Sequence, residues 1–264
     1  MSTKHLLATK GPFKAEYLRS GDPYELSEGH AILCLPTGGR GSLANLLGGV
    51  VLASDPAVAQ AGVDTGFTPE PGTLRAPDVA VGEIPDVPGW VPGAPLLALE
   101  YADSGQDEAA LADKIADLLA AGTRMVWVVR LSGPRRVEVH RPQQPVQLYR
   151  PGQLLEAPGV LKNPVPVEAL YDQEAAYGVA LRNLLQRQGY ADLEAVRAAS
   201  EAAGEAKGRR DGSIVILLKL LTAKLGPLPA ETIARIGNAS LQELQIWSVQ
   251  VLTATTLEEA LGAE

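Results

Sequence analysis

Three short segments between residues 75 and 122 decide the fold: RAPDVAV (75–81), APLLALEY (94–101) and DEAALADKIADLLAAG (107–122). The first two are apolar runs with a proline near the start, which suits the first residue of a strand because proline has no N–H to pair. In the third, apolar residues recur at helical spacing from Leu111 to Leu119. Asp107 suits the start of this helix and Gly122 its end. The order of strands and helices predicts an α/β core, a central mixed sheet flanked by helices.

Two carboxylates stand at the ends of these strands, Asp78 at the start of one and Glu100 at the end of the other. Burying an unpaired carboxylate costs several kcal/mol or raises its pKa, so the pair requires a partner. A divalent cation is one such partner, because a hard cation takes oxygen ligands and cancels their repulsion. A divalent metal ion, Mg²⁺ or Mn²⁺, would therefore account for both carboxylates if their strands lie side by side.

Lys114 lies on the predicted helix, beside its apolar face. In one interpretation its long side chain extends along the sheet towards the two carboxylates. In the other it is an exposed lysine surrounded by water, which is the ordinary state of lysine on a helix. The residue pattern alone leaves both interpretations open.

The ordered series of segments resembles the PD-(D/E)XK nuclease superfamily, and within it the Uma-two family of restriction endonucleases. The similarity runs from about residue 17 to residue 171. It is carried by YELSEGHAILCLPTGG (24–39), GTLRAPDVAV (72–81), PLLALEY (95–101), DKIADLLAAGTRMVWVV (113–129) and LYRPGQLLEAPGV (148–160). The resemblance implies a restriction-endonuclease-like core, DNA as the substrate and a homodimer, since cutting both strands favours two copies.

In that family the catalytic lysine stands on the helix, and Lys114 matches its position, whereas Ala102 occupies the strand position that other superfamily members use. A family glutamate near the N-terminus matches Glu25, whose position by itself favours an ordinary exposed acid of a strand or turn. The resemblance implies Asp78, Glu100, Lys114 and Glu25 as catalytic residues, with Asp78 and Glu100 on the metal. Glu25 would hold a second metal or a water molecule.

The chain departs from the family pattern at three positions, Gly41, Leu118 and Arg130. The family often has a histidine at the first, a tyrosine at the second and an acid at the third. None of the three is an expected metal ligand.

The composition, 46% hydrophobic and 20% charged, is ordinary for a globular protein. No run approaches the ~20 apolar residues of a membrane span, and the start, MSTKHLLATKGPFKAEY (1–17), lacks the apolar region of a signal peptide. The single cysteine, Cys34, excludes an intramolecular disulfide and a multi-cysteine zinc site, and we expect it to be buried on a strand. These features predict a cytoplasmic protein with no membrane partner.

The formal net charge of −8 argues mildly against a general nucleic-acid binder, because phosphate contacts need lysine and arginine. The distribution of charge matters more than the sum. Six arginines fall between Arg124 and Arg150, where Glu138 is the only acid. In one interpretation this stretch lines a DNA groove, and in the other it is the solvated face of a β-hairpin. The first predicts DNA contacts for Arg130, Arg135, Arg136 and Arg141.

We predict three regions: a nuclease-like domain over 1–172, a helical linker over 173–212 and a small all-α domain over 213–264. The linker ends in GEAKGRRDG (204–212), which we interpret as a hinge. In the last region, Ser240 with Glu243 and Thr256 with Glu259 have the spacing of capping boxes. This region resembles a helical domain of unknown function that is appended to recombination-promoting nucleases and transposases.

Two classes of function follow. The first is a Mg²⁺-dependent endonuclease that hydrolyses phosphodiester bonds of DNA. The second is a catalytically weak or inactive protein of nuclease fold that acts as a DNA- or protein-binding scaffold, which the net acidity and the departures from the family pattern favour. A hydrolase with a serine nucleophile is poorly supported, because the chain has no GxSxG motif.

Overall fold

A six-stranded mixed sheet forms the centre of the first of two units in the computed structural model. The units are Met1–Ala191 and Asp192–Glu264, and the structure describes residues 11–105 and 107–262. The strands are β1 (Tyr24–Ser27), β2 (His30–Leu33), β3 (Ala61–Val63), β4 (Phe67–Thr68), β5 (Val79–Val81), β6 (Val91–Pro92), β7 (Leu97–Ala102), β8 (Met125–Arg130), β9 (Arg136–His140), β10 (Gln147–Tyr149), β11 (Leu154–Leu155) and β12 (Val165–Pro166). The helices of this unit are α1 (Gly39–Ser54), α2 (Glu108–Ala120) and α3 (Gln173–Arg187).

The strand order in the central sheet is β10-β9-β8-β7-β5-β3. Strands β7 and β8 are parallel and joined through α2, whereas the other neighbours in this sheet are antiparallel. The prediction of an α/β core with a central mixed sheet is therefore confirmed. The condition for Asp78 and Glu100 to meet is fulfilled, because β5 pairs with β7 and the two strands lie side by side.

The two faces of β7 pack against different helices, because successive side chains of a strand point to opposite faces. Leu97, Leu99 and Tyr101 belong to the large apolar cluster that includes residues of α1 and α3. Ala98 and Ala102 belong to the cluster formed with α2. Glu100 has the parity of the two alanines, so the sheet presents its carboxylate on the face that α2 covers.

Helix α2 begins and ends at the predicted residues. The Asp107 side chain accepts hydrogen bonds from the backbone N–H groups of Ala109 and Ala110, and Gly122 follows the helix with a φ of 109°. Leu111, Ile115 and Leu118 form the buried face of α2. This packing fixes the position of Lys114 relative to the face of the sheet that α2 covers.

Strands β1 and β2 form a hairpin, with Glu28 and Gly29 in left-handed conformations at the turn. Leu26 of β1 also bridges Leu74 in antiparallel fashion, which brings Glu25 across from Arg75. The prediction of a buried Cys34 is wrong. The thiol lies just beyond β2 and is exposed, because β2 has most of its side chains in solvent.

Before β1 the chain forms a single 3-10 turn at Ala15–Tyr17, and residues 61–68 are divided into the strands β3 and β4. Glu100 lies inside β7, two residues before its end, and not at the end of the strand.

The second unit consists of α4 (Leu193–Leu225), α5 (Ala230–Asn238), α6 (Leu241–Gln250) and α7 (Leu257–Leu261), so the predicted C-terminal helical region is confirmed. Ser240 and Glu243 form the predicted capping box. At the second predicted box, the Thr256 side chain caps α7, while the Glu259 carboxylate accepts from Thr255.

The predicted hinge at residues 204–212 is wrong, because this segment lies within the continuous helix α4. Each glycine costs about 1 kcal/mol in a helix relative to alanine, and the helix-forming residues around the three glycines outweigh that cost here. Helix α3 packs in the first unit against α1, and α4 belongs to the second unit. The segment 173–212 is therefore divided between the two units.

Among the described helices, none combines the length and the apolar composition that crossing a bilayer requires. The stretch that predicts the absence of a secretion signal falls largely in residues 1–10, outside the described residues. The cytoplasmic location stays a prediction.

Candidate active site

Asp78 is held between β7 and α1. Its Oδ2 accepts a hydrogen bond of 2.6 Å from the backbone N–H of Tyr101, and its Oδ1 accepts one of 3.2 Å from Asn45 Nδ2. The first contact follows from the pairing of β5 with β7, which sets the residue before β5 beside the residues after Leu99. The Asp78 carboxylate is thus held at Tyr101, the residue that follows Glu100 in β7. Burial raises the pKa of Asp78 above its ordinary value.

Lys114 reaches the carboxylates, as the first interpretation of this residue predicts. Its Nζ lies 3.0 Å from Glu100 Oε1 and 3.0 Å from Glu25 Oε1, and it donates a hydrogen bond of 2.7 Å to the carbonyl of Ala76. The side chain of Lys114 is only 15% exposed. The interpretation of Lys114 as a solvated surface residue is therefore wrong.

Glu25 is buried, and both of its carboxylate oxygens face cations. Oε1 is the atom 3.0 Å from Lys114 Nζ, and Oε2 accepts a hydrogen bond of 3.2 Å from Arg75 Nη1. Arg75 in turn contacts Asp117 of α2, with Nη2 2.7 Å and Nε 2.9 Å from Asp117 Oδ2. The reading of Glu25 as an exposed acid beside the turn does not hold.

Negative charge exceeds positive charge in this cluster. Four carboxylates, Glu25, Asp78, Glu100 and Asp117, surround two cationic side chains, Lys114 and Arg75, which gives a formal charge of −2 when all six groups are ionised. Burial raises the pKa of Glu100 to about 8, although Lys114 lies alongside. The three neighbouring carboxylates raise the pKa of Lys114, so its ammonium stays protonated at neutral pH.

The buried Glu100 carboxylate faces one cation, Lys114, which it shares with Glu25. Lys114 Nζ lies 3.0 Å from Glu100 Oε1 without the geometry of a hydrogen bond, and it donates a hydrogen bond of 3.2 Å to Oε2. A buried cluster with more carboxylates than cations is an environment that a hard divalent cation relieves. Asp78 and Glu100 together therefore fit a Mg²⁺ or Mn²⁺ ion.

The described part of the chain contains no group of three or more His, Cys, Asp or Glu side chains arranged to hold a metal. A metal on Asp78 and Glu100 would thus take its remaining oxygen ligands from backbone or water, as Mg²⁺ commonly does. Both oxygens of Glu25 are engaged with cations, which argues against the expected second metal at that residue.

A cavity of about 520 Å³ opens onto the cluster and is lined by Glu25, Asp78 and Lys114. Asp64 lines it too, and its backbone N–H contacts the Asp78 carbonyl at 3.4 Å. Asp64 has a φ of 50°, an uncommon value that Asp tolerates better than most residues. Asp64, Asn45, Arg75 and Asp117 are absent from the sequence-based prediction of the site.

The four arginines that the sequence offered for DNA contact all make contacts within the protein. Arg130 pairs with Glu108 and Glu138 at 2.6 and 2.8 Å, and Arg136 pairs with the same Glu138 at 3.0 Å. Arg135 lies over the Tyr171 ring and Arg141 donates to Gln147. DNA contact by these arginines stays a prediction.

The departures from the family pattern lie outside the carboxylate and lysine cluster. Leu118 is 1% exposed and packs in the apolar cluster under α2. Gly41 lies in the first turns of α1, and Arg130 ends β8 in its two ion pairs.

The chain resembles known proteins both in fold and in sequence. The chain is similar to a solved structure described as a putative nuclease belonging to DUF820 from Anabaena variabilis ATCC 29413, with 20% identity and a TM-score of 0.49. The match covers 67% of this chain and 99% of that one. Among curated proteins no significant match is found. The model of the Uma2 family, described as "Putative restriction endonuclease", matches residues 13–167, more than half of the chain. The chain therefore belongs to the Uma2 family of putative restriction endonucleases.

Proposed function

We propose that this protein is a Mg²⁺-dependent endonuclease that hydrolyses phosphodiester bonds of DNA. The observation that carries the proposal is the convergence of the Lys114 ammonium on buried carboxylates, at 3.0 Å from both Glu100 and Glu25, beside Asp78. Membership in a family described as restriction endonucleases supports the same reaction.

Asp78 and Glu100 would hold Mg²⁺, assisted by the backbone carbonyl of Tyr101, and Mn²⁺ suits the same ligands. When bound, the ion supplies positive charge that polarises the phosphate and offsets the charge that develops on it. The hydrogen bonds to Asp78 from Tyr101 N and Asn45 Nδ2 keep its carboxylate in one orientation. The oxygen ligands are thus preorganised before substrate arrives.

Lys114 acts as a hydrogen-bond donor and a fixed positive charge. Because the surrounding carboxylates raise its pKa, the ammonium is a poor general base at neutral pH. It instead orients the attacking water and stabilises negative charge on the phosphate in the transition state. Glu25 and the carbonyl of Ala76 both contact the ammonium, at 3.0 and 2.7 Å, and so help to fix its position.

The proposal is tested by calorimetric titration of Mg²⁺ and Mn²⁺ and by plasmid nicking in the same buffers. Asp78→Asn should lose both metal binding and nicking. Lys114→Met should keep metal binding and lose nicking by about 10²–10³-fold, the size of effect seen when one charge-stabilising donor is removed. Asp113→Asn, an exposed acid next to Lys114 on α2, is the matched control and should behave as wild type. Nicking at the wild-type level in Asp78→Asn or Lys114→Met would overturn the proposal.

The scaffold function remains the second candidate, and the engagement of the basic stretch favours it. Arg130 and Arg136 share Glu138, so less positive charge is free for phosphate than the sequence suggests. In that case Asp78→Asn leaves DNA or partner binding unchanged and the wild type does not nick DNA. The homodimer stays a prediction, and sedimentation of the protein with and without DNA tests it.

A further inference from the structure

We propose that Arg75 and Asp117 are positioning residues that hold Lys114 against the carboxylate pair, an inference that rests on the proposed function. The four side chains Lys114, Glu25, Arg75 and Asp117 are joined by ion pairs in that order. Asp117 lies three residues after Lys114, on the same side of α2. The backbone of α2 therefore closes the series into a ring.

The ring joins three separate parts of the first unit. Lys114 and Asp117 belong to α2, Glu25 belongs to β1, and Arg75 stands three residues before Asp78. Arg75 directly precedes Ala76, whose carbonyl accepts the hydrogen bond from Lys114. A rotation of α2 that moved Lys114 away from Glu100 would have to break the Arg75–Asp117 contacts as well.

The buried Arg75 guanidinium fixes the geometry of the ring. The Arg75 side chain is only 3% exposed and contacts Asp117 through two nitrogens and Glu25 through a third. The planar guanidinium fixes the angle between its two acceptors, which a lysine at this position cannot do. Ser27 Oγ donates a 2.8 Å hydrogen bond to the same Asp117 oxygen, so the acceptor is fixed from β1 too.

Within the ring, Glu25 links two cationic side chains, a role that differs from binding a metal. Its carboxylate is the link between the Arg75 guanidinium and the Lys114 ammonium. Without Arg75, Glu25 would keep one cationic partner and gain freedom to turn, and Lys114 would lose its defined direction. Arg75 therefore acts on the chemistry through Glu25 and Lys114, without touching the substrate.

The test uses full-length Arg75→Gln and Asp117→Asn, each alone and combined with Lys114→Met. Asparagine has the size of aspartate and the Asp117 side chain is partly exposed, so we expect Asp117→Asn to fold. This variant therefore tests the ring even if Arg75→Gln does not fold. Arg197→Gln, which removes an exposed ion pair with Glu194, is the matched control. We expect each ring variant to lower kcat by about tenfold or more, with KM for DNA and the Mg²⁺ Kd nearly unchanged. In the Lys114→Met background the same substitutions should have no further effect, because they act through Lys114.

A second readout does not depend on cleavage. The ¹⁵N-ammonium signal of Lys114, assigned by its absence in Lys114→Arg, should be sharp in the wild type and broadened or shifted in Arg75→Gln and Asp117→Asn. If the wild type does not cleave DNA, the proposed function fails. The ammonium signal then still tests whether the ring positions Lys114. Folded ring variants with wild-type kcat, an effect that persists undiminished in the Lys114→Met background, or an unchanged ammonium signal would each overturn the inference.

Discussion

Glu100 stands in the least favourable electrostatic environment of the candidate site. It lies in the middle of a strand with apolar neighbours on its face of the sheet, and it shares one lysine with two other carboxylates. Burial penalises the charged form, which is why the pKa of Glu100 rises to about 8 despite the adjacent ammonium. This cost is the physical reason for expecting a cation at this residue.

The raised pKa predicts how stability varies with pH in EDTA. Between the unfolded pKa of Glu100 and its folded pKa of about 8, the native state binds the proton and the unfolded state does not. The contribution of Glu100 is therefore fully present at acid pH and is lost as pH rises through 8. We expect wild type to lose roughly 1–2 kcal/mol more than Glu100→Gln between pH 6 and pH 8, since one pKa unit corresponds to about 1.4 kcal/mol.

Urea unfolding of both proteins at the two pH values measures this difference. Glu83→Gln, at an exposed position of the same unit, should follow the wild type. Equal losses in wild type and Glu100→Gln would contradict the prediction.

The site residues divide into those that the sequence can reveal and those that it cannot. Asp78 and Glu100 stand out because charges interrupt short apolar strands, and Lys114 follows from the family pattern. Arg75 and Asp117 carry no such signal, since their pairing depends on how the segment before β5 meets α2 in space. The only hint is spacing: Arg75 precedes Asp78 by three residues, and Asp117 follows Lys114 by three.

Among the elements, α1 and β7 approach each other closely at Gly48. A Cβ on Gly48 would clash with the Tyr101 hydroxyl and lie 2.6 Å from Leu99 Cδ2. The Tyr101 hydroxyl is itself fixed by a 2.8 Å hydrogen bond to the carbonyl of Leu170, so it has little freedom to move. Gly49, the next residue, would place a Cβ at 3.4 Å from Val63, an ordinary contact distance.

This difference predicts opposite effects from two adjacent substitutions. By helix propensity alone, each Gly→Ala change should stabilise α1 by up to about 1 kcal/mol. Gly48→Ala should nevertheless destabilise the protein by roughly 1–3 kcal/mol, because overpacking displaces Tyr101. Gly49→Ala should be neutral or stabilising. Denaturant unfolding of the two variants checks this, and an equal gain in both would refute the close approach of α1 to β7.

Helix and hairpin ends were predictable where the signal is local. Asp107 caps α2 by a contact within three residues, and the turn at Glu28 and Gly29 needs only its own backbone. The continuity of α4 through the glycines of 204–212 was not predictable in this way. Glycine marks a break only when the flanking residues do not favour the helix, and that balance is not visible in a single residue.

At the scale of the whole molecule, the buried apolar residues fall into separate groups. In the described residues, the cluster of the second unit contains Leu217, Leu221, Leu244 and Trp247 and shares no member with the clusters of the first unit. The candidate site lies entirely in the first unit, in agreement with the span of the Uma2 match. The helical second unit thus has its own source of stability.

Separate cores predict that the two units lose structure independently. Leu244→Ala, at a fully buried position of the second unit, should cost about 2–5 kcal/mol in that unit. Hydrogen exchange followed by mass spectrometry should then show faster exchange in peptides from α4 to α7, with β7 and β8 as protected as in wild type. Leu47→Ala, 1% exposed on α1, is the matched variant and should give the reverse pattern. Loss of protection in β7 and β8 upon Leu244→Ala would mean that the first unit depends on the second for its stability.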